Sequence, residues 1–336
     1  MTRNYLKIPH CAWSRAEFDR HPGDGAETAL NAESRLRLWT AAGTFRPGNA
    51  GSTKMSSEGD PIDLALREDI GAGDVTTTLL VPDDSRAHAR ILPREKAIIA
   101  GTMTAAEVFR RVDPGLKVSV ELTDGTSVLG GETILKIQGS TRSILTAERV
   151  ALNFLQRLSG IATLTHEYVE AIGKNPAKIM DTRKTTPGLR ALERAAVVAG
   201  GGTNHRFGLF DAILVKDNHL AAEQDLKKLG AAIRQARAQN PSMKIEVEAD
   251  NLEQVRALVQ MDGVDVILLD NMETAEMREA IALGRKHNVK FEASGGINLR
   301  TVRRIAATGV DYISVGALTH SPRAIDLSLE LTHVGS

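Results

Sequence analysis

The sequence has little of what marks secreted, membrane-spanning or nucleic-acid-binding proteins. Cys11 is its only cysteine, so neither a disulfide framework nor a cysteine-based zinc site can form within one chain. Its 42 lysine and arginine residues are balanced by 42 aspartate and glutamate residues, whereas nucleic-acid or acidic-membrane partners usually require a basic excess. No apolar run approaches the roughly 18–20 residues that span a bilayer, and the N-terminus lacks the apolar segment of a secretory signal. We therefore predict a cytoplasmic protein that binds neither nucleic acid nor membranes.

Residues 1–54 differ from the rest of the chain because they contain scattered prolines and glycines without a sustained hydrophobic period. We interpret them as a poorly ordered extension, with Met55 as the functional start. Residues 55–160 are more regular, and Asp60 and Pro61 are suited to the N-cap and first position of a helix. Strand-like runs follow at residues 87–92, 97–99, 117–122 and 133–137, with a helix near residues 105–112. This pattern predicts an N-terminal α+β domain in which helices cover an antiparallel sheet.

The hydrophobic pattern changes after a long helical stretch that begins near Ser143. In residues 161–322, short apolar runs alternate with helical segments. The runs lie at residues 178–181, 212–216, 244–249, 264–270, 289–293 and 310–315. Alternating strands and helices imply parallel pairing, and about six such units can close into an α/β barrel related to the TIM barrel but shorter. A doubly wound open sheet is the alternative. We predict that residues 323–336 form a C-terminal helix and tail.

The loop at residues 181–190 is the most informative stretch of the chain. It places Thr182, Arg183 and Lys184 directly after an apolar run, and further hydroxyls and Arg190 follow before the loop ends. Arginine offers a planar fork of donors that matches carboxylate and phosphate, and lysine adds a compact point charge. The loop is therefore suited to binding a polyanion, with a solvated basic turn as the alternative.

Polar or glycine-rich segments follow every predicted strand of this second domain, and parallel βα folds place their sites at those strand ends. Lys216 ends the second run, and a triple glycine leads into His205 and Arg206, as in a loop that folds over an anion. Two glycine-rich segments follow the last two strands, where barrel enzymes often bind phosphate near helix N-termini; they contain Ser294, Gly295, Gly296, Gly316, Ala317 and Leu318. Phosphate binding is favoured over the alternative of two tight turns.

Three carboxylates belong to the middle strands. Glu246 and Glu248 alternate with Ile245 and Val247, so both acids face the lumen of a small barrel. Glu248, nearer the strand end, is the better site candidate, whereas Glu246 is expected to be buried against a cation in the lumen. Glu248 and Asp270 beside a phosphate loop are suitable Mg²⁺ ligands, although solvated strand-end acids are an equal alternative.

Residues 181–190, 200–209 and 213–219 resemble the quinolinate phosphoribosyltransferases, which are also called carboxylating nicotinate-nucleotide pyrophosphorylases. Residues 68–77 resemble the N-terminal signature of that family, and residues 147–163 resemble its linker helix. The resemblance implies an N-terminal open-faced α/β sandwich and a C-terminal incomplete barrel of about six strands. It also implies an obligate homodimer, with larger assemblies left open, in which one subunit's N-terminal domain helps to close the partner's barrel.

The resemblance implies transfer of the phosphoribosyl group of phosphoribosyl pyrophosphate to quinolinate with Mg²⁺, giving nicotinate mononucleotide, pyrophosphate and CO₂. Lys184, Glu248 and Asp270 would then be catalytic, and Glu248 and Asp270 would serve the metal and the ribose. The substrate contacts implied are Thr182, Arg183, His205, Arg206 and Lys216, with Arg149 supplied by the neighbouring subunit; the phosphates would meet Lys184, Ser294, Gly295, Gly296, Gly316, Ala317 and Leu318.

Three rival functions stay open from the residues. Nicotinate phosphoribosyltransferases have a related fold but take a monocarboxylate, and the cationic cluster exceeds what one carboxylate needs. A paralogue linked to molybdenum uptake is poorly separated by sequence. A sensor that binds a phosphometabolite without catalysis is the third, and Glu248 and Asp270 oppose it because a pure anion receptor gains nothing from acids in its pocket.

Overall fold

The computed structural model describes residues 59–216 and 226–334. The extension predicted over residues 1–54 and the segment that includes Asp217, Asn218 and His219 lie outside the described residues. Within the described part, no helix has the length and apolarity needed to cross a membrane.

The N-terminal elements begin with two helices that are capped by aspartate side chains. Asp60 accepts a hydrogen bond from the Ile62 amide at 2.8 Å, and Asp74 accepts one from the Thr77 amide at 2.9 Å, which confirms the predicted helix start. The elements are α1 (Pro61–Ile70), α2 (Val75–Leu80), β1 (Arg86–Pro93), β2 (Ala97–Ile98), α3 (Thr102–Val112), β3 (Lys117–Val120), β4 (Ser127–Val128), β5 (Leu135–Ser140) and α4 (Thr141–Ile172).

An antiparallel sheet, as the sequence predicted, organises this part of the chain and has four strands, whereas the predicted run at residues 97–99 lies in a separate two-stranded sheet of β2 and β4. Strand β1 pairs with β5 on one side, and β5 pairs with β3. The long helix α4 packs against α3, and apolar side chains of both join those of the sheet in one core, among them Phe109, Ile137 and Leu155. The same helix continues into the second domain, so the two share a rigid connection.

The fourth strand of this sheet comes from the C-terminus, where a helix and tail were predicted over residues 323–336; that prediction was wrong. Strand β12 (Leu327–His333) pairs antiparallel with β1 along its length. Leucine and polar residues alternate over residues 327–332, a period of two that suits a strand rather than a helix. The segment before β12 can pass close to α4 because residue 160 is glycine: a Cβ there would lie 2.0 Å from the Arg323 carbonyl oxygen.

The second domain is a six-stranded parallel sheet in the order β6-β11-β10-β9-β8-β7. Its elements are β6 (Lys178–Met180), α5 (Arg190–Ala199), β7 (Ile213–Val215), α6 (Leu226–Gln239), β8 (Ile245–Ala249), α7 (Leu252–Leu258), β9 (Val266–Asp270), α8 (Thr274–Gly284), β10 (Lys290–Ser294), α9 (Val302–Ala306), β11 (Tyr312–Ser314) and α10 (Ala317–His320). All six strands match predicted runs.

The strand order identifies this sheet as an incomplete barrel. From β7 to β11 every strand pairs with the next one in the chain, and β11 then pairs with the first, β6. In a doubly wound sheet, the order in which the strands follow one another would instead reverse near the middle of the sheet. Within the described residues, β6 and β7 form the two edges of the sheet, so the barrel is open between them. All six carboxyl ends still meet at one mouth, which is where the sequence placed the site.

Candidate active site

A cavity of about 840 Å³ opens at the carboxyl ends of the barrel strands. It brings together residues that lie more than a hundred positions apart in the chain. Of the predicted site residues, those that line it are Thr182, Arg183, Lys184, His205, Arg206, Lys216, Glu248, Asp270, Ser294, Gly295, Gly296, Gly316 and Ala317.

Two predicted residues are not part of this cavity. The side chain of Leu318 is completely buried and belongs to the core of the barrel, because the second position of α10 faces inward. Arg149 lies on the exposed side of α4 and does not line the cavity of its own chain.

The loop after β6 is held by a buried carboxylate. Glu193 is completely buried and accepts hydrogen bonds from the Thr186 amide at 3.0 Å, from the Thr186 hydroxyl at 2.7 Å and from Arg157 at 2.9 Å. At the other side, the Thr319 hydroxyl donates to the Lys184 carbonyl at 2.9 Å. The backbone is therefore anchored on two sides, while the side chains of Arg183 and Lys184 are exposed at the cavity.

The cations of the cavity are close enough to affect one another. Burial, and next the charge of Arg183, lower the pKa of Arg206. Clustered like charges raise the free energy of an empty site and are neutralised by bound anions. This arrangement supports the polyanion site over the solvated basic turn.

The carboxylates of the cavity cluster at the ends of β8 and β9. Glu248 is buried and lies 2.8 Å from Lys216 Nζ. Burial, and then the nearby charge of Glu248, raise the pKa of Asp270. Carboxylate oxygens of Glu248, Asp250 and Asp270 lie within 4.8 Å of one another, so the residues fit an oxygen-binding divalent cation such as Mg²⁺.

His205 lies deeper, beside two buried glutamates. Its Nε2 is 3.2 Å from Glu246 Oε2 and 3.5 Å from Glu292 Oε1. Burial alone would lower the pKa of His205, but the two carboxylates outweigh it and raise that pKa to about 9. Glu246 is buried, as expected, and the group beside it is His205. Asp181 accepts a hydrogen bond from the His205 amide at 2.7 Å, and burial raises the pKa of Asp181 to about 6.

The glycine-rich segments line the cavity and pack closely against neighbouring side chains. Gly295 and Gly296 have φ angles of +91° and +60°, which favour glycine, and a Cβ on Gly295 would lie 2.1 Å from Asn271 Oδ1. At Gly316 a Cβ would lie 3.3 Å from Lys184 Cδ. Gly295 therefore allows an approach to Asn271 that a side chain would block, whereas the contact at Gly316 is only tight.

Sequence reasoning missed four residues of this region: Asp250, Asn271, Glu292 and His320. A signal existed for two of them. Asn271 directly follows a predicted strand. In the structure its φ angle is 53°, and it is the one non-glycine residue with a positive φ among those that the structure describes. Glu292 interrupts an apolar run in the middle of a strand, which indicates an inward-facing acid. For Asp250 and His320, only the folded chain shows the proximity.

Comparison with known proteins extends these observations to nearly the whole described chain. The family model described as the quinolinate phosphoribosyl transferase N-terminal domain matches residues 74–159, and that of the C-terminal domain matches residues 161–330. Nicotinate-nucleotide pyrophosphorylase (carboxylating) from Mycobacterium leprae is 43% identical over 277 residues, covering 81% of this chain and 96% of the relative.

Two further matches agree. A mitochondrial quinolinate phosphoribosyltransferase (decarboxylating) from Nicotiana glauca is 43% identical over 286 residues, which cover 80% of each chain. The crystal structure of NadC from Streptococcus pyogenes superposes with a TM-score of 0.77 at 41% identity, covering 84% of this chain and 100% of the other.

Proposed function

The chain belongs to the quinolinate phosphoribosyltransferase family, and we propose that the cavity at the mouth of its barrel is where it performs the family's reaction. The enzyme transfers the phosphoribosyl group of phosphoribosyl pyrophosphate to quinolinate and releases CO₂, pyrophosphate and nicotinate mononucleotide, a step of NAD biosynthesis. The observation that carries the proposal is the convergence of Arg183, Lys184, Arg206 and Lys216 with Glu248 and Asp270 in one cavity.

Quinolinate binds at the arginine-rich side of the cavity. It carries two adjacent carboxylates, and the planar forks of Arg183 and Arg206 match that geometry. Lys216 adds a point charge, held 2.8 Å from Glu248. Binding of the dianion relieves the repulsion between Arg183 and Arg206.

The phosphates of the second substrate bind between Lys184 and the two glycine-rich segments. Backbone amides at Gly295 and Gly316 approach the anion closely because neither residue carries a Cβ. Glu248 and Asp270, with Asp250 beside them, would hold Mg²⁺. The ion would supply positive charge at the leaving pyrophosphate.

The chemistry requires charge stabilisation rather than a protein nucleophile. Positive charge develops at the ribose as the pyrophosphate leaves, and the carboxylate of Glu248 or Asp270 stabilises it, while Lys184 stabilises the leaving group. Attack by the ring nitrogen of quinolinate makes that nitrogen cationic. When the adjacent carboxylate then departs as CO₂, the cationic nitrogen stabilises the electron pair left on the ring carbon, and that carbon takes up a proton from water to give nicotinate mononucleotide.

A homodimer with shared active sites completes the proposal. Val75, Leu79 and Leu80 on α2 are 79%, 79% and 72% exposed, which is typical of a surface that another protein covers. Asp74, the cap of this helix, accepts a hydrogen bond from Thr146, one helical turn before Arg149. Arg149 is therefore exposed one turn along α4 from the residue that contacts the N-terminus of α2, where a partner's barrel would receive it.

Two products test the function in the presence of phosphoribosyl pyrophosphate and Mg²⁺: CO₂, which only quinolinate can release, and pyrophosphate, which is released by transfer to either acid. We expect both products with quinolinate and no pyrophosphate with nicotinate, since a monocarboxylate leaves part of the cationic cluster unpaired. Preference for nicotinate, or binding of both substrates without turnover, would reject the proposal in favour of the rival transferase or a sensor. We also place the enzyme in the cytoplasm, which cell fractionation would test.

A further inference from the structure

Arg157, on the long helix α4, lies where three segments of the barrel meet. Its guanidinium donates hydrogen bonds to the Glu193 carboxylate on α5 at 2.9 and 3.2 Å, and to the Thr186 hydroxyl in the loop after β6 at 3.2 Å. It also donates to the backbone carbonyl of Thr319 on α10. Arginine presents its donors in several fixed directions, whereas lysine carries its donors on one compact ammonium. One arginine can therefore hold three segments together.

The carboxylate of Glu193 fixes the orientation of this guanidinium. Glu193 is completely buried, and it also accepts hydrogen bonds from the Thr186 amide at 3.0 Å and from the Thr186 hydroxyl at 2.7 Å. A buried carboxylate is stable when a cation and further donors surround it, and all of these are present here. Arg157 is thereby held in one direction, with one of its nitrogens directed at Thr319.

From Thr319 the contacts continue to the cavity. The hydroxyl of Thr319, a completely buried residue, donates to the Lys184 carbonyl at 2.9 Å. Thr319 also lies three residues after Gly316, where a Cβ would lie 3.3 Å from Lys184 Cδ. Lys184 and the Gly316 segment, which are both assigned to the phosphates of phosphoribosyl pyrophosphate, are therefore set against each other by contacts that begin at Arg157.

The segment that carries Arg206 is held by different contacts. The His205 amide donates to Asp181 at 2.7 Å. Arg194 donates to the carbonyl of His205 at 2.7 Å and to that of Arg206 at 3.2 Å. These contacts come from the residue after β6 and from α5, rather than from α4. A change at Arg157 should therefore affect the phosphate side of the cavity more than the side assigned to quinolinate.

We infer that Arg157 is a positioning residue, which through Thr319 holds Lys184 and the Gly316 segment at the spacing that binds the pyrophosphate group. The residue itself lies outside the cavity, so it acts without touching a substrate. The inference rests on the proposed function, because Lys184 and Gly316 are assigned to the phosphates there.

Kinetics of Arg157→Lys on the full chain test this assignment, because lysine keeps a charge beside Glu193 but not the fork that reaches Thr319. We expect kcat to fall roughly 10-fold and KM for phosphoribosyl pyrophosphate to rise roughly 5- to 10-fold, while KM for quinolinate changes less than about 2-fold. Arg90→Lys is the matched control, since Arg90 forms an exposed pair with Glu330 at 2.7 Å and should tolerate the same change without effect. Equal losses toward both substrates, or no loss, would overturn the inference.

Thr319→Val tests the path from Arg157 to Lys184. Valine has nearly the shape of threonine but no hydroxyl to donate to the Lys184 carbonyl. We expect it to raise KM for phosphoribosyl pyrophosphate roughly 5-fold in the wild-type background, a result that stands even if Arg157→Lys fails to fold. In the Arg157→Lys background the increase should be less than about 2-fold, because both changes break the same path. Increases that multiply in the double variant, or an unchanged KM in Thr319→Val alone, would contradict the path.

Binding calorimetry separates this inference from the proposed reaction, because it needs no turnover. The full chain is titrated with pyrophosphate in the presence of Mg²⁺ and, separately, with quinolinate. We expect Arg157→Lys to weaken pyrophosphate binding roughly 5- to 10-fold and quinolinate binding less than about 2-fold. An unchanged Kd for pyrophosphate would reject the positioning role even if the wild type turns over both substrates. A wild type without turnover would reject the reaction, while the expected difference between the two Kd values would still support the role of Arg157.

Discussion

If the active site is shared between subunits, two inactive variants should restore each other's activity when mixed. Arg149→Ala removes a charge-assisted contact worth about 1.5–3 kcal/mol, a loss of roughly 10- to 150-fold, and Lys184→Ala removes the cation at the leaving group by a similar amount. Arg149 lies outside the cavity of its own chain and Lys184 lies in it. A mixed dimer therefore contains one intact site, built from the barrel with Lys184 and the partner copy's unmodified Arg149, and one site with both changes.

The size of the recovery follows from counting. Random exchange of subunits makes about half of the dimers mixed, and half of their sites are intact, so the mixture should reach about one quarter of wild-type activity. The assay is CO₂ release after subunit exchange has been verified by mass spectrometry of tagged chains. As a control, a mixture of Lys184→Ala and Glu248→Gln should recover no activity. Both residues line the cavity of their own chain, so each site of a mixed dimer still lacks one of them. No recovery in the first mixture would refute the shared site and leave Arg149 without the proposed role.

Four further outcomes test the cavity. Arg183→Lys should raise KM for quinolinate roughly 10- to 100-fold, measured by initial rates, because a point charge cannot replace the fork; unchanged KM would mean that Arg183 does not bind the diacid. Gly295→Ala should raise KM for phosphoribosyl pyrophosphate and lower Tm, since the new Cβ would lie 2.1 Å from Asn271 Oδ1; calorimetry showing neither effect would remove the close approach. Chelation with EDTA should abolish turnover, and added Mg²⁺ should restore it. Asp270→Asn should raise the Mg²⁺ concentration that is required for turnover. Activity unaffected by the chelator would contradict the metal assignment. Finally, burial raises the pKa of Asp181 from 3.8 to about 6, so as the pH rises the unfolded chain loses this proton at a lower pH than the folded chain, and the folded state loses stability. Relative to Asp181→Asn, the free energy of unfolding of the wild type should fall by roughly 2 kcal/mol between about pH 4 and pH 7 in urea titrations. Parallel pH profiles of the two proteins would refute the cost of burying this carboxylate.

Hydrophobic period and turn residues were sufficient to predict most of the secondary structure. All six barrel strands match predicted runs, and Asp60 caps the helix that it was expected to cap. The C-terminal strand β12 was predicted as a helix although its leucines alternate with polar residues, and no local feature of the segment reveals its partner. Its pairing with β1 joins positions more than 230 residues apart, and only the folded chain brings them together.

In the candidate site, too, local sequence patterns predicted some features, and only the folded chain revealed the others. Thirteen of the fifteen proposed site residues line one cavity. Strand-end position indicated most of them, since parallel strands present their carboxyl ends together, whereas His205 and Arg206 were proposed from the loop that follows the triple glycine. Leu318 was misplaced because its position in α10 turns the side chain into the core. Glu292 was missed although it interrupts an apolar run, because a single acid in a strand does not indicate that it will line the cavity.

Residue chemistry and order along the chain already specify a barrel whose mouth is lined by arginine, lysine, acid and glycine, because these properties are local and periodic. Tertiary packing specifies which groups share a proton, which face solvent and which have turned inward. His205 is the clearest case: its sequence neighbours indicate an anion ligand, and only the folded chain shows that two buried carboxylates, from β8 and β10, lie beside its Nε2. Burial makes the difference, since carboxylates removed from water raise the pKa of a neighbouring histidine.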